Sequence, residues 1–210
     1  MTVPQESPTN SSTECQSISI LRLGVLEPQA ATAIAAQGIN LAAWQSALVL
    51  EVSPAEAGHS IAHKILQALP DLELGALLMV GPKAMLVITG HTPDLFNDAI
   101  TLLENIAPLD QNLGATGDIM NLGLIEKITD SHAVFLNRTA KINLVIANDN
   151  VLILKVMPAI YGLSFVQSLE CSGTQLELVS LNFLGPQGEL VVKGPLKQLH
   201  KLTQSLGSNG

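Results

Sequence analysis

The sequence predicts an α+β protein made of two tandem copies of one domain, each an antiparallel sheet with helices on one face. The first reason is a repeated phrase: VGPKAMLVITG at 80–90 returns as LGPQGELVVKG at 184–194, a shift of 104 positions (185 − 81). The second is the order of elements, because runs of β-forming residues alternate with short helical patterns and Gly-Pro turns. Solenoid repeats are far shorter, so a period of about 100 residues indicates two whole domains.

The self-match continues without gaps far beyond the repeated phrase. The coinciding residues include apolar, glycine and proline positions: Leu48, Leu50, Val52, Pro54, Gly58, Gly81, Pro82 and Gly90 fall on Leu152, Leu154, Val156, Pro158, Gly162, Gly185, Pro186 and Gly194. A shared register of this kind indicates two similar domains with a pseudosymmetric role. The predicted division is a disordered tail at 1–17, a first domain at 18–106, a linker at 107–119 and a second domain at 120–210.

The elements of each copy follow in one order. A strand is predicted first (18–26 and 122–128), then a short helix (29–36 and 131–137), then a strand rich in β-formers (47–52 and 151–156). Pro54 and Pro158 are predicted to open the next helix at its first turn, where the missing N–H costs nothing. A hairpin with a Gly-Pro turn comes next, and a last helix begins at Pro93 or Pro195.

Composition excludes several classes of protein. Hydrophobic residues make up 47% of the chain and charged residues 13%, which indicates a large core or apolar surface covered by partner subunits. The net charge of −8 argues against binding to nucleic acid or to an anionic membrane surface. The polar N-terminus does not resemble a signal peptide, and glycine and polar residues interrupt the apolar stretch at 28–50. We therefore expect a cytoplasmic protein with no membrane partner.

Several stretches resemble a known family, the tandem-domain, circularly permuted shell proteins of bacterial microcompartments, and above all those of carboxysomes. They are ALVLEVSPAEAGHSIAHKILQA at 47–68, LELG at 72–75, HAVFLNR at 132–138, LILKVMPAIYG at 152–162 and LELVSLNFLGPQGELVVKG at 176–194. The resemblance implies two ferredoxin-like α/β-sandwich shell domains in a homotrimer that mimics a hexamer and can stack as a dimer of trimers. It also implies a structural role in the shell of a microcompartment, with other shell proteins as partners and no catalysis.

In such shell proteins the Gly-Pro turns surround a central pore. The residues implied to line it are Val80, Gly81, Pro82, Lys83, Gly185, Pro186, Gln187, Gly188 and Glu189. Glycine and proline bring backbone close to an axis without side-chain bulk. Three copies of Lys83 would draw small anionic metabolites through the pore, and Glu189 would oppose that attraction.

The sequence departs from the family at its functional positions. Val80 and Gly81 occupy the place of an adjacent Glu-Arg pair that gated members carry, so gating by an ion pair is not expected. Gln67 and Cys171 occupy the place of a lysine at the tile edge, where neighbouring tiles meet. Asn137 and Arg138 match the family's Asn-Arg pair. The residues predicted to lie at subunit interfaces are Gln67, Asn137, Arg138 and Cys171.

Other chemistry has little support in the sequence. His59 and His63 have the i, i+4 spacing of two metal ligands, but no third ligand is nearby in the chain, so no metal site is predicted. No nucleotide-binding loop, nucleophile motif or carboxylate pair is present, so neither a cofactor nor an enzyme is expected. Two alternatives to a shell tile stay open: a ligand-binding regulatory protein of tandem ferredoxin-like domains, and a pore-less adaptor of the shell.

Overall fold

The computed structural model describes residues 14–36, 45–110, 118–185 and 187–207, in six helices and nine strands within these ranges. The first copy contains β1 (Ser17–Leu23), α1 (Pro28–Ala35), β2 (Ser46–Ser53), α2 (Ala57–Ala68), β3 (Glu73–Val80), β4 (Lys83–Gly90), α3 (Leu95–Glu104) and β5 (Leu109–Asp110). The second contains β6 (Asp118–Ile125), α4 (Asp130–Asn137), β7 (Val151–Met157), α5 (Tyr161–Cys171), β8 (Glu177–Leu184), β9 (Gln187–Lys193) and α6 (Leu196–Gly207). None of the described helices is long and apolar enough to span a bilayer.

The strands form two sheets with the same internal order. The first sheet runs β3-β4-β2-β1-β5 and the second β8-β9-β7-β6, and every pairing within these four-strand units is antiparallel. Only β5 lies outside the repeat, and it pairs with β1 in parallel. The predicted α+β class with two antiparallel-sheet domains is therefore confirmed. The expectation that the helices lie on one face is wrong, because α1 and α4 pack on the face of their sheet opposite to the long helices. The predicted linker at 107–119 overlaps strands at both ends, because β5 belongs to the first sheet and β6 begins at Asp118.

The strand register reproduces the repeat residue by residue. Leu50 pairs with Leu86 in the first sheet, and Leu154 pairs with Leu190 in the second, 104 positions later. The register shift between Leu74 and Ala76 recurs between Leu178 and Ser180. The first strands differ: Ile20 pairs with Leu50 and Leu122 with Leu154, a spacing of 102 (122 − 20). The connection through α4 is thus two residues longer than the connection through α1.

Each sheet is covered on both faces, because consecutive strand residues point to opposite sides. In the first sheet Leu48 and Leu50 pack with α2 and α3, while Ala47 and Val49 pack with α1. In the second sheet Leu152 packs with α5 and α6, and its neighbours on the other face pack with α4. The cluster beneath α1 is continuous with the cluster beneath α5, so one apolar core joins the two domains.

The prolines before the long helices have a different role from the predicted one. The helices begin at Ala57 and Tyr161, three residues after Pro54 and Pro158, and each proline follows a cis peptide bond in the preceding turn. The carbonyl of each proline accepts the first amide of its helix, at 3.1 Å in both copies. The expectation of proline at the first helical position is therefore wrong, because these prolines close the turn that leads into the helix.

Close approach of helix to sheet explains the paired glycines at the start of α2 and α5. A Cβ on Gly58 would lie 2.6 Å from the Cβ of Ala84, and one on Gly162 would lie 2.7 Å from Leu181 Cδ1. Both distances are far inside van der Waals contact. Only glycine allows these helices to lie directly on the strands beneath them.

Alanine at the two glycines will have unequal effects. We expect Gly58→Ala to lower the free energy of unfolding by about 2–3 kcal/mol, since the clashing Ala84 Cβ is fixed to the backbone. Gly162→Ala should cost only about 1 kcal/mol, because the end of the Leu181 side chain can rotate away. Urea denaturation at one protein concentration measures both. Equal losses would show that the two helices approach their sheets differently from the geometry described.

Candidate functional site

The two Gly-Pro turns lie side by side in one chain. A Cβ on Gly81 would lie 3.5 Å from the Cα of Gly185. Both glycines have positive φ, +64° and +65°, and each turn is a two-residue hairpin loop closed by the pairs Val80–Lys83 and Leu184–Gln187. Glycine at the first loop position is the requirement of a type II′ hairpin. The repeated phrase therefore forms two equivalent loops that meet at one point on the molecule.

The predicted pore residues do not all lie on these loops. Gln187, Gly188 and Glu189 belong to β9, and Pro186 is outside the described residues. Gly188 is buried, and a Cβ there would lie 3.0 Å from the Ala159 carbonyl oxygen. The prediction that Gly188 lines an opening is wrong, because it packs beneath the turn before α5. The loops themselves expose Gly81 and Pro82, with Gly185 partly covered.

Lys83 does not carry a free charge. Its Nζ forms an ion pair with Glu51 Oε1 on the neighbouring β2, and the Glu51 side chain is only 4% exposed. In the second copy Glu189 lies 3.9 Å from Lys155, its partner across β7 and β9. Both charges predicted to act on a passing anion are thus balanced within the chain. The register of β2 and β4 brings the buried carboxylate of Glu51 to Lys83, a partner that the sequence analysis did not foresee.

The contact between the two domains is directional. Helix α1 of the first domain packs on α5 and β8 of the second. Gln167 on α5 forms hydrogen bonds with two backbone groups of the segment just before α1. Its Nε2 donates to the Val25 carbonyl, and its Oε1 accepts from the Glu27 amide at 3.1 Å. Gln29 Oε1 accepts the amide of Leu178 on β8 at 2.8 Å. We call this contact the inner junction.

The equivalent surfaces of α4 and β3 are exposed in the described structure. Helix α4 corresponds to α1, yet Phe135 is 63% exposed where its counterpart Ala33 (135 − 102) is fully buried. On the other domain, Leu74 is 41% exposed where its counterpart Leu178 is fully buried. The open α4 surface comprises Val134, Phe135, Leu144 and Ile146, and the open β3 surface comprises Leu74 and Met79. The surfaces that are buried at the inner junction thus recur on the other side of each domain, where their large apolar side chains are exposed.

The predicted interface residues have varied positions. Asn137 Nδ2 donates to the Val145 carbonyl at 2.7 Å, and its Oδ1 accepts the Val145 amide at 2.8 Å, so it anchors the segment that carries the open α4 surface. Arg138 is exposed at the end of α4, and Gln67 is exposed near the end of α2. The side chain of Cys171 is outside the described residues. The sequence could not distinguish the anchoring role of Asn137 from a direct contact.

Other chemical candidates remain unsupported within the described ranges. No group of three His, Cys, Asp or Glu side chains in one chain is placed to hold a metal. Burial raises the pKa of the Cys15 thiol, which disfavours the reactive thiolate. Lys193 lies between Glu177, at 3.2 Å, and Asp149, at 4.0 Å, and this cluster is already charge-paired.

Two solved structures have the same architecture over nearly the whole chain. The double ringed trimeric shell protein MSM0271 from the RMM microcompartment matches with a TM-score of 0.75 and 21% identity, covering 93% of this chain and 94% of that one. The chain has the fold of tandem microcompartment shell proteins. The fused permuted hexameric shell protein MSM0275 from the same microcompartment matches with a TM-score of 0.74 and 18% identity, over 93% and 95% of the two chains. No protein-family model and no curated protein sequence matches.

Proposed function

We propose that the chain is a non-catalytic structural component of a bacterial microcompartment shell, and that three copies close into a ring of six domains. The observation that carries the proposal is the directional inner junction with its two halves repeated on open surfaces. A head-to-tail contact of this kind either closes into a ring or continues as a filament. The shell-protein fold, and a structural neighbour described as trimeric, favour closure with three chains.

The inner junction indicates how two chains would pack at a second junction, between the open α4 surface of one copy and the open β3 surface of the next. Helix α4 of one copy would lie on α2 and β3 of the next, as α1 lies on α5 and β8 within the chain. Phe135 would then occupy the position of the buried Ala33, and Leu74 would be covered as Leu178 is. This closure buries the exposed apolar side chains of both open surfaces, and apolar burial is the main favourable term in association. It also explains the high apolar content of the chain.

Ring closure would bring six loops around one axis, three with Gly81-Pro82 and three with Gly185-Pro186. The adjacent loops of one chain supply a third of this rim. Because Lys83 and Glu189 have partners within the chain, the rim presents backbone, glycine and proline rather than free charge. We propose a central opening for small metabolites whose selectivity depends mainly on width, with backbone N–H groups as the polar contacts.

As a finer assignment we propose the shell of a carboxysome, because the sequence resembles the carboxysome shell protein CcmP. The two structural neighbours are named for the RMM microcompartment. Stacking of two trimers is a further part of the proposal, supported by the double ring in the description of one neighbour. Genes for Rubisco and other shell proteins beside the gene for this chain would support the carboxysome.

Light scattering on the purified chain tests the assembly directly. We expect a mass three times the chain mass of 22.1 kDa, or six times if trimers stack. Electron microscopy of the same sample should show a ring with six lobes. A stable dimer or tetramer would instead support the regulatory alternative, and a monomer at micromolar concentration would contradict the shell assembly. A closed ring without a central opening would support the pore-less adaptor.

A further inference from the structure

Two histidines lie on the part of α2 that the second junction would cover. His59 and His63 are four residues apart, so they share one helix face, and both are exposed. Their counterparts on α5, 104 positions later, are Leu163, which is fully buried, and Gln167, which binds the chain leading into α1. Since packing within one domain leaves His59 exposed, α1 accounts for the burial of Leu163. His59 and His63 therefore lie on the surface that α4 of another copy would cover in the proposed trimer.

A third histidine lies on the facing helix. His132 on α4 corresponds to Ala30 on α1 (132 − 30 = 102), and Ala30 is fully buried in the same apolar cluster as Leu163. His132 itself is only partly covered in the single chain. When α4 occupies the second junction as α1 occupies the inner one, His132 of one copy comes to the surface that holds His59 and His63 of the next.

We propose that each junction between chains binds a divalent transition metal, with Zn²⁺ as the best fit, through His59 and His63 of one copy and His132 of its neighbour. This inference rests on the proposed trimer. Two histidines one helical turn apart plus a third from another element form a known zinc arrangement, with Zn–N distances of about 2.0–2.1 Å and a fourth position for water. Neutral imidazole also suits Zn²⁺ better than it suits Mg²⁺.

The hydrogen-bonding partner of His63 is available at the same place. Gln167 donates to the carbonyl of Val25, whose counterpart in the second copy is Lys127 (127 − 25 = 102). One ring nitrogen of His63 can donate to the Lys127 carbonyl of the neighbour and leave the other nitrogen for the metal. Metal-binding histidines usually have such an orienting hydrogen bond.

The sites would exist only between chains. At the inner junction the three equivalent residues are Leu163, Gln167 and Ala30. None of them is a histidine, so the inner junction has no zinc site. A trimer therefore has three sites and not six, one for each chain. This stoichiometry separates the proposed site from adventitious binding at scattered histidines.

Calorimetric titration of EDTA-treated trimer with ZnCl₂, with MgCl₂ as the comparison metal, tests the site. We expect one Zn²⁺ per chain with micromolar or tighter affinity, and no Mg²⁺ binding. His63→Gln introduces the residue of the inner junction, so it should keep the trimer and weaken zinc binding at least about a hundredfold. His132→Ala should do the same, while His91→Gln, an exposed histidine in the first domain, should change nothing.

Co-expression of the two variants tests whether the site is shared. Random mixing of His63→Gln and His132→Ala chains in a head-to-tail ring would restore a complete histidine set at about a quarter of the junctions. Zinc binding in the mixture but not in either parent would support the proposal. Absence of Zn²⁺ binding by wild-type trimer, or unchanged binding in both variants, would overturn it. Light scattering before any metal is added shows separately whether the trimer itself exists.

Discussion

Phe135→Glu is expected to dissociate the proposed trimer into monomers. The Ala33 position that Phe135 matches is fully covered at the inner junction, so a carboxylate at 135 would be buried against apolar surface of the next chain. An unpaired buried charge costs several kcal/mol, and the aromatic contact is lost as well. We expect association to weaken at least about a hundredfold. Light scattering over a dilution series measures the change.

Met120→Glu is the matched control for this variant. Met120 is 51% exposed at the register shift of β6, between Ile119 and Asn121, and it is on neither α4 nor β3. Met120 therefore lies outside both open surfaces, and the control should assemble like the wild type. If Met120→Glu dissociates the protein and Phe135→Glu does not, the chains associate through a different surface. Circular dichroism of both variants shows that each domain is still folded.

Lys83→Ala will destabilise the first domain strongly. Removal of the ammonium leaves the carboxylate of Glu51 in a nearly closed site without its partner. Breaking a buried pair from one side costs more than the pair itself contributes, because the remaining charge is neither solvated nor compensated. We expect a loss of about 2–4 kcal/mol in the free energy of unfolding, which urea denaturation at one protein concentration measures.

The second copy provides the control for the ion pair. Lys155 and Glu189 are 39% and 28% exposed and 3.9 Å apart, so Lys155→Ala should cost less than about 1 kcal/mol. Adding Glu51→Gln to Lys83→Ala should recover part of the lost stability, since the buried charge is removed. A similar cost for Lys83→Ala and Lys155→Ala would mean that Glu51 is solvated. Unchanged stability in Lys83→Ala would return Lys83 to the role of a free cation at the rim.

Prediction from sequence succeeded where the information is local or repeated. The Gly-Pro loops, the order of strands and helices and the shift of 104 positions are all visible in the chain, because turn chemistry and strand alternation depend on near neighbours. The shared glycines also predicted shared geometry, and Gly58 and Gly162 do occupy matching close approaches. The cis prolines were missed because a proline ahead of a helix suits its first turn and the turn before it equally well.

The sequence by itself determined that the chain contains two copies of one domain, and it located the Gly-Pro loops and the apolar strands of each copy. Only the tertiary structure decided that α1 contacts the second domain as well as its own sheet. The same holds for the ion pair of Glu51 with Lys83, and for the exposure of Phe135 where Ala33 is buried. The physical reason is that apolar periodicity states which face of a helix must be buried but not what buries it. Partners distant in sequence are chosen by sheet register and domain packing, which exist only in the folded chain.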